Sequence, residues 1–248
     1  MNVALSAVAF VPGLAIGSFL NVVAARVPRK RSIVMPASAC MSCGHELAWY
    51  ENIPVVSWLA LRGKCKSCGE RIGVVYPAVE LLTALLIAAS FLAFGWSGTS
   101  FVAAFFCATL VVISATDLSH RIVPNVVVLP ATVVVLAAMT ALHPSVEWLL
   151  GALGASLFFF VAAVAHPKGL GMGDVKLALL LGAMLGRTVP VALMIGMLSA
   201  LVPSVVLFAR HGAAARKMKI PFAPFLALGG VVGLFFGDDL LDVYLNAF

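Results

Sequence analysis

Gly169-Leu170-Gly171-Met172-Gly173-Asp174-Val175-Lys176 carries three glycines in five residues and brings a carboxylate to the mouth of an apolar run. Glycine leaves no side chain in the way, so another backbone or an extended peptide can approach closely there. A carboxylate at the edge of such a segment is costly unless it is used. A second acid has the same placement. Asp117 lies in Thr116-Asp117-Leu118-Ser119-His120-Arg121-Ile122-Val123-Pro124-Asn125 and also precedes an apolar run.

The rest of the chain is mostly lipid-soluble. Of its 248 residues, 62% are hydrophobic and 10% charged, and the mean hydropathy is +1.10. Soluble domains carry roughly 25% charged residues, so a soluble globular protein is excluded. The expected fold is an all-α polytopic membrane protein with about eight transmembrane helices and one small polar insert between the first two. The apolar runs fall at 3–25, 77–95, 100–116, 123–142, 147–166, 175–186, 188–209 and 222–246. The sixth is short, rising only about 18 Å as a helix. It either begins inside the membrane or borrows residues from the glycine-rich loop. The expected organisation is a first transmembrane helix at 1–26, a cytoplasmic insert at 27–76 and a transmembrane catalytic domain at 77–248.

The net charge of +6 reports topology rather than nucleic-acid binding. The loops 26–76, 117–123, 167–176 and 210–221 hold 8, 1, 2 and 4 Lys or Arg, which is 15 of the 16. Arg187 is alone on the other side. The positive-inside rule assigns these loops to the cytoplasm and both termini to the outside. The first span lacks a preceding basic residue and is followed by Arg26, Arg29, Lys30 and Arg31, the pattern of an uncleaved anchor rather than a signal peptide. Asp117 and Asp174 are separated by one helical hairpin, so both are expected at the cytoplasmic edge of the bilayer.

Each aspartate alone has an ordinary reading. Asp174 can be a first-turn acid favoured by the helix dipole, and Asp117 can pair with His120 or Arg121. Together they suit peptide hydrolysis. One ionised carboxylate takes a proton from water while a protonated neighbour polarises the scissile carbonyl, and carboxylates that share a site split their titrations in this way. A membrane aspartyl peptidase is the reading that uses both. Lys176 reads as an interfacial snorkelling lysine rather than a partner of the acids. A small transporter with a carboxylate relay is the rival, but both acids lie at one face and no internal repeat is apparent.

Four of the five cysteines form two pairs, Cys40-x-x-Cys43 and Cys65-x-x-Cys68, separated by 21 residues. This is close to a two-knuckle zinc pattern, and four thiolates leave no open position, so the metal is expected to be structural. A redox dithiol is the alternative. Some fifty residues bury little core and need such a staple; short strands and turns are expected there. His45 reads as an exposed polar residue and Cys107 as a packing residue. Glu80 reads equally as a functional intramembrane acid or an interfacial one. Lys219-Ile220-Pro221-Phe222-Ala223-Pro224-Phe225 reads as the start of a helix.

In order, these motifs resemble the type 4 prepilin peptidases, bifunctional leader peptidase/N-methyltransferases. The resemblance is carried by Gly17-Ser18-Phe19-Leu20-Asn21-Val22-Val23, Arg26-Val27-Pro28, the paired cysteines, Tyr50-Glu51-Asn52-Ile53-Pro54-Val55-Val56-Ser57-Trp58, Arg62-Gly63-Lys64-Cys65 and Tyr76-Pro77-Ala78-Val79-Glu80. Both aspartate motifs and Ile220-Pro221-Phe222 complete it. It implies a bacterial inner-membrane enzyme that cleaves the basic leader of prepilins and pseudopilins at the cytoplasmic face. Asp117 and Asp174 match its catalytic pair, and S-adenosylmethionine would be the methyl donor. Zinc on Cys40, Cys43, Cys65 and Cys68 accords with the methylating forms. Ala223 departs from the glycine found in many relatives. Glu46, Glu51 and Glu70 are candidate partners for a basic leader, or counter-charges for nearby lysines and arginines. No glycine-rich nucleotide loop follows a strand, so the residues that bind the methyl donor are not identified.

Overall fold

In hydrocarbon an apolar run must satisfy its own backbone, and the helix does so within one segment. The computed structural model describes residues 2–166, 170–212 and 220–246. Gly169 and Lys219, the outer ends of two motifs, lie outside the described residues, as do the basic residues Lys168, Arg216 and Lys217. The described residues form α1 (Asn2–Arg26), α2 (Val56–Ala60), α3 (Val75–Phe94), α4 (Gly98–His120), α5 (Asn125–Leu142), α6 (Glu147–Ala165), α7 (Met172–Leu185), α8 (Val189–His211) and α9 (Ala223–Asn246), with no strand among them. Among the described residues, seven helical stretches are long and apolar enough to cross a membrane, α7 and α8 counting as one stretch of 40 residues through the turn Gly186–Thr188. The chain is an all-α, multi-pass membrane protein. It divides into two units, Met1–Ala115 and Thr116–Phe248.

In the first unit, α1 and α3 pack backbone to backbone. Gly13 and Gly17 stand one turn apart on α1. A Cβ at Gly13 would lie 2.7 Å from Ala84 Cα, and one at Gly17 would lie 2.6 Å from Glu80 Cα. Small residues at this spacing let membrane helices approach closely. Ala9, Ile87, Phe91 and Ala104 form a buried cluster beyond this crossing. Phe91, Trp96 and Phe101 stack beside it with ring centroids 5.1–5.4 Å apart.

The insert between α1 and α3 departs from the expected short strands. It has only two isolated antiparallel bridges, Ala39 to Glu46 and Lys64 to Arg71. Each bridge closes a Cys-x-x-Cys turn, and the chain reverses too soon for a ladder to extend. Its regular pieces are 3-10 turns at Val27–Arg29 and Trp49–Asn52 and the short α2. Val55, at φ 61, starts α2 and donates its N–H to Glu80 Oε2 at 2.7 Å. Buried Glu80 therefore ties the insert to α3. Trp58 Nε1 donates to the Ile72 carbonyl at 3.0 Å and holds α2 against the second knuckle.

In the second unit, α7 is the central helix. Leu177, Ala178, Leu180, Leu181 and Ala183 are fully buried, and α5, α6, α8 and α9 all pack on α7. A helix enclosed on every side is apolar all round, which is why its sequence shows no polar stripe. Its 14 residues rise about 21 Å, less than the roughly 30 Å of hydrocarbon. Relative to the expected 175–186, it starts earlier, at Met172, and takes in Gly173 and Asp174 from the glycine-rich loop. At the crossing of α6 and α7, a Cβ on Gly151 would lie 2.8 Å from the Gly182 carbonyl oxygen.

Candidate active site and metal centre

Asp117 was expected in a loop, but α4 continues past it to His120 and places it in the last helical turn. The helix stops at Arg121, whose left-handed backbone (φ 55) returns its N–H to the Asp117 carbonyl at 2.8 Å. Asp117 is 7% exposed. Its Oδ2 accepts the backbone N–H of Ala223 at 3.0 Å. Ala223 is the first residue of α9, so this donor is one of the amides a helix leaves unpaired at its positive end. Among the described residues, neither His120 nor Arg121 forms an ion pair with Asp117 within 4.0 Å.

Asp174 is the third residue of α7. Its Oδ2 accepts the Gly171 N–H at 3.2 Å, and its own N–H returns to the Gly171 carbonyl at 3.0 Å. The first-turn role is thus real and engages one carboxylate oxygen. Two contacts bring the start of α5 onto this turn. A Cβ on Gly173 would lie 2.9 Å from Val123 Cβ, so glycine permits the approach. Lys176 Nζ donates to Asn125 Oδ1 at 2.7 Å; it is a staple between helix ends, not a snorkelling cation.

The end of α4 and the starts of α5, α7 and α9 therefore converge, and Asp117 and Asp174 lie close enough to interact electrostatically. Two carboxylates in such contact resist joint ionisation, so one can serve as base while its neighbour stays protonated. The site contact that sequence reasoning missed is the Ala223 amide on Asp117. Its only signal was the pair of prolines marking a helix start, which says nothing about what the start faces.

The four paired cysteines gather at one point. Their sulfurs all lie within 4.8 Å of one another, with Cys40 to Cys68 at 3.8 Å and Cys43 to Cys65 at 3.9 Å. A tetrahedral shell with bonds of about 2.3 Å puts its sulfurs roughly 3.8 Å apart, so the cluster can hold a metal ion. Each knuckle has the same hydrogen bonds. Cys40 N–H donates to the His45 carbonyl and Gly44 N–H to the Cys40 carbonyl, both at 2.9 Å; Cys65 and Gly69 repeat this with Glu70 and Cys65 at 2.8 and 2.9 Å. Gly44 (φ 72) and Gly69 (φ 73) take the left-handed conformation that closes each turn, the physical reason for glycine there. Backbone N–H groups of Cys43 and Ser42 bring the Cys40 thiol down to about 6. Cys107 is fully buried in α4, as a packing residue should be.

His45 is half-exposed and occupied elsewhere: its Nε2 lies 3.1 Å from Glu51 Oε2. Glu51 is buried, and its Oε2 also accepts the Ala48 N–H at 3.0 Å. Lys66 Nζ stands 3.7 Å from its Oε1. The Ala48 amide, then His45 and Lys66, hold the Glu51 carboxyl below its ordinary range against an opposing contribution from burial. Glu51 is thus held by the insert's own residues, whereas Glu46 and Glu70 are exposed.

Known proteins share this arrangement of segments. The Bacterial Peptidase A24 N-terminal domain matches residues 11–94 and the Type IV leader peptidase family matches residues 104–205. The chain is similar to the prepilin leader peptidase/N-methyltransferase of Bacillus subtilis (strain 168), 36% identical over 248 residues and covering 96% of each chain. It is similar to the protein of that name from Xanthomonas campestris pv. campestris, 36% identical over 94% of this chain and 92% of the relative. The Pseudomonas aeruginosa protein is 34% identical over 94% and 91%. No solved structure matches. Similarity that runs through both matched regions and nearly the whole length of these relatives means that the chain belongs to the type IV leader peptidase family.

Proposed function

We propose that this enzyme cleaves the N-terminal leader of type IV prepilins and pseudopilins and then methylates the newly exposed amine with S-adenosylmethionine. Asp117 and Asp174 form the catalytic pair. The ionised carboxylate takes a proton from water as it attacks the scissile carbonyl, and the protonated one donates to the carbonyl oxygen, so no covalent enzyme intermediate forms. The single observation that carries the reading is the convergence of the end of α4 with the starts of α7 and α9, which gathers the two acids at one place, each with a backbone amide on one oxygen.

The site belongs to the cytoplasmic face of the inner membrane, with both termini outside, as supported by the basic loops. Residues 1–26 form the first membrane helix, 27–76 a cytoplasmic zinc-binding domain and 77–248 the peptidase domain. Cys40, Cys43, Cys65 and Cys68 hold the zinc, supported by their sulfur spacing. When bound, the ion cross-links the two knuckles and performs no chemistry on the substrate. The apolar helix that follows the cleavage site reaches the aspartates through the bilayer.

The test uses purified enzyme in detergent and a synthetic prepilin-like substrate, followed by mass with and without S-adenosylmethionine. Loss of the leader, with a methyl increment only when the donor is present, is the expected result. Leader loss without the increment removes the methyltransferase half. A folded protein that leaves several such substrates intact overturns the reading.

A further inference from the structure

The 3-10 turn Trp49–Asn52 and α2 form an inside-out piece of the insert. Its polar residues Glu51 and Ser57 are buried, while Trp49 is 81% exposed, Val56 58% and Leu59 62%. Burying polar groups and exposing large apolar ones is the reverse of what water selects. The arrangement is fixed by hydrogen bonds. The Ser57 hydroxyl donates to the Tyr50 carbonyl at 2.8 Å and locks α2 to the turn. Val55, Ser57, Trp58 and Leu61 line a cavity bounded by α1, the insert and α3. Val56 and Leu59, three residues apart and so on one helix face, are turned outward. The bonds of Trp58 to Ile72 and of Val55 to Glu80 hold that direction.

The depth of this piece follows from the register of α1 on α3. Gly13 meets Ala84, Gly17 meets Glu80, and the Asn21 side-chain amide donates to the Tyr76 carbonyl at 3.1 Å. The two helices run antiparallel, with Glu80 level with Gly17. Gly17 lies nine residues before Arg26, the last residue of α1, a rise of about 13 Å. Glu80 Oε2 accepts the Val55 N–H, and a glutamate side chain plus one hydrogen bond reach at most about 8 Å. The start of α2 therefore lies roughly 5 Å or more inside the level of Arg26, alongside the membrane helices rather than beyond their ends. That is the headgroup–acyl boundary, where interfacial helices bury an apolar face about 5–10 Å deep and where tryptophan concentrates. Arg62 and Lys64, both exposed, follow α2 and suit the phosphates of the headgroup layer.

We propose that residues 49–60 are an interfacial membrane anchor, with Trp49, Val56 and Leu59 inserted among the acyl chains of the leaflet where α1 ends and α3 begins. The partner is the phospholipid bilayer itself. The cysteine knuckles are then held to the membrane surface at three points, the two helix ends and this anchor, instead of swinging on two tethers. A protein partner would need this face to stand clear of lipid, which the tie to Glu80 prevents. The anchor rests on packing within the first unit and on neither catalytic activity.

The test uses the zinc-loaded full chain in nanodiscs of phosphatidylcholine and phosphatidylglycerol. The phosphatidylcholine carries a photoactivatable diazirine on an acyl chain, near its glycerol end. After irradiation, lipid adducts are mapped by peptide mass. The expected adducts fall within 49–60 as well as on Leu81 and Leu85, exposed residues of α3, and spare the knuckles at 40–46 and 64–71. Val56→Glu combined with Leu59→Glu should cut labelling of 49–60 roughly tenfold, because a carboxylate resists burial in hydrocarbon. Zinc content should stay at the wild-type level, since neither residue lines the insert's cavity. If the double variant loses zinc, the wild-type map decides. Wild-type labelling of 49–60 no stronger than that of the knuckles, with α3 labelled, overturns the anchor and means that protein or water covers this face. Full labelling of a double variant that keeps its zinc overturns it as well.

Discussion

The backbone N–H of Ala223 donates to Oδ2 of Asp117 across 106 residues of chain, at 3.0 Å. The first amide of α9 thus fixes one oxygen of an acid that ends α4, and it does so at the positive end of a helix. Ala223→Pro removes this N–H while keeping a residue suited to the first helical position. A lost hydrogen bond to a charged group is worth about 1.5–3 kcal/mol, so leader cleavage should fall roughly 10- to 100-fold. Ala223→Gly keeps the amide and should cleave at close to the wild-type rate. Rates of substrate mass loss for the two variants check this, and equal loss in both would show that the methyl, not the amide, matters.

Asp117→Asn and Asp174→Asn should each abolish leader cleavage while the protein still inserts in the membrane. General acid–base contributions are typically 10²–10⁴-fold, so a residual rate within tenfold of wild type for either purified variant would remove that residue from the catalytic pair.

Metal analysis of purified protein should find one zinc per chain. Cys65→Ser, at the buried cysteine of the cluster, should lose it and render residues 27–76 sensitive to protease. Methylation should suffer more than peptide hydrolysis, and equal loss of both would mean that the insert also positions the leader. A reversible disulfide with no bound metal would instead support the redox-dithiol reading.

Glu51 gives the insert a pH signature. Its carboxyl is held below the ordinary 4.5, first by the Ala48 amide and then by His45 and Lys66. A depressed carboxyl contributes stability that is fully present above its unfolded value and is lost as pH falls through its folded value. The melting temperature of wild type should therefore exceed that of Glu51→Gln at neutral pH. The gap should close below about pH 4.5. A gap that persists unchanged to pH 3 would mean that the difference comes from geometry rather than ionisation.

Close packing of α1 on α3 predicts an asymmetry among small residues. A Cβ at Gly17 would sit 2.6 Å from a backbone atom of Glu80, which cannot rotate away. Gly17→Ala should destabilise the protein by about 1–3 kcal/mol, as overpacking does. Gly154→Ala on α6 meets nothing within 4 Å and should be nearly neutral. Thermal unfolding in detergent compares them.

What the sequence determined by itself was local or periodic. Long apolar runs specify membrane helices because each such segment satisfies its own backbone; all eight runs appear, with ends moved by a few residues at α4 and α7. The cysteine pairs were legible because a knuckle needs only adjacent residues and a following glycine. Asp117 and Asp174 stood out because a carboxylate beside an apolar run is expensive wherever the run goes. The tertiary structure decided what depended on neighbours distant in sequence: that α7 lies at the centre of its unit, that Lys176 reaches Asn125, that Glu80 holds α2, and that Ala223 turns its amide to Asp117. An amide carries no side-chain identity, and the surroundings of a buried oxygen such as Glu51 Oε1, with Lys66 at 3.7 Å, are set only once everything around it is in place. Those relationships arise from packing between segments, and no local pattern of residues encodes them.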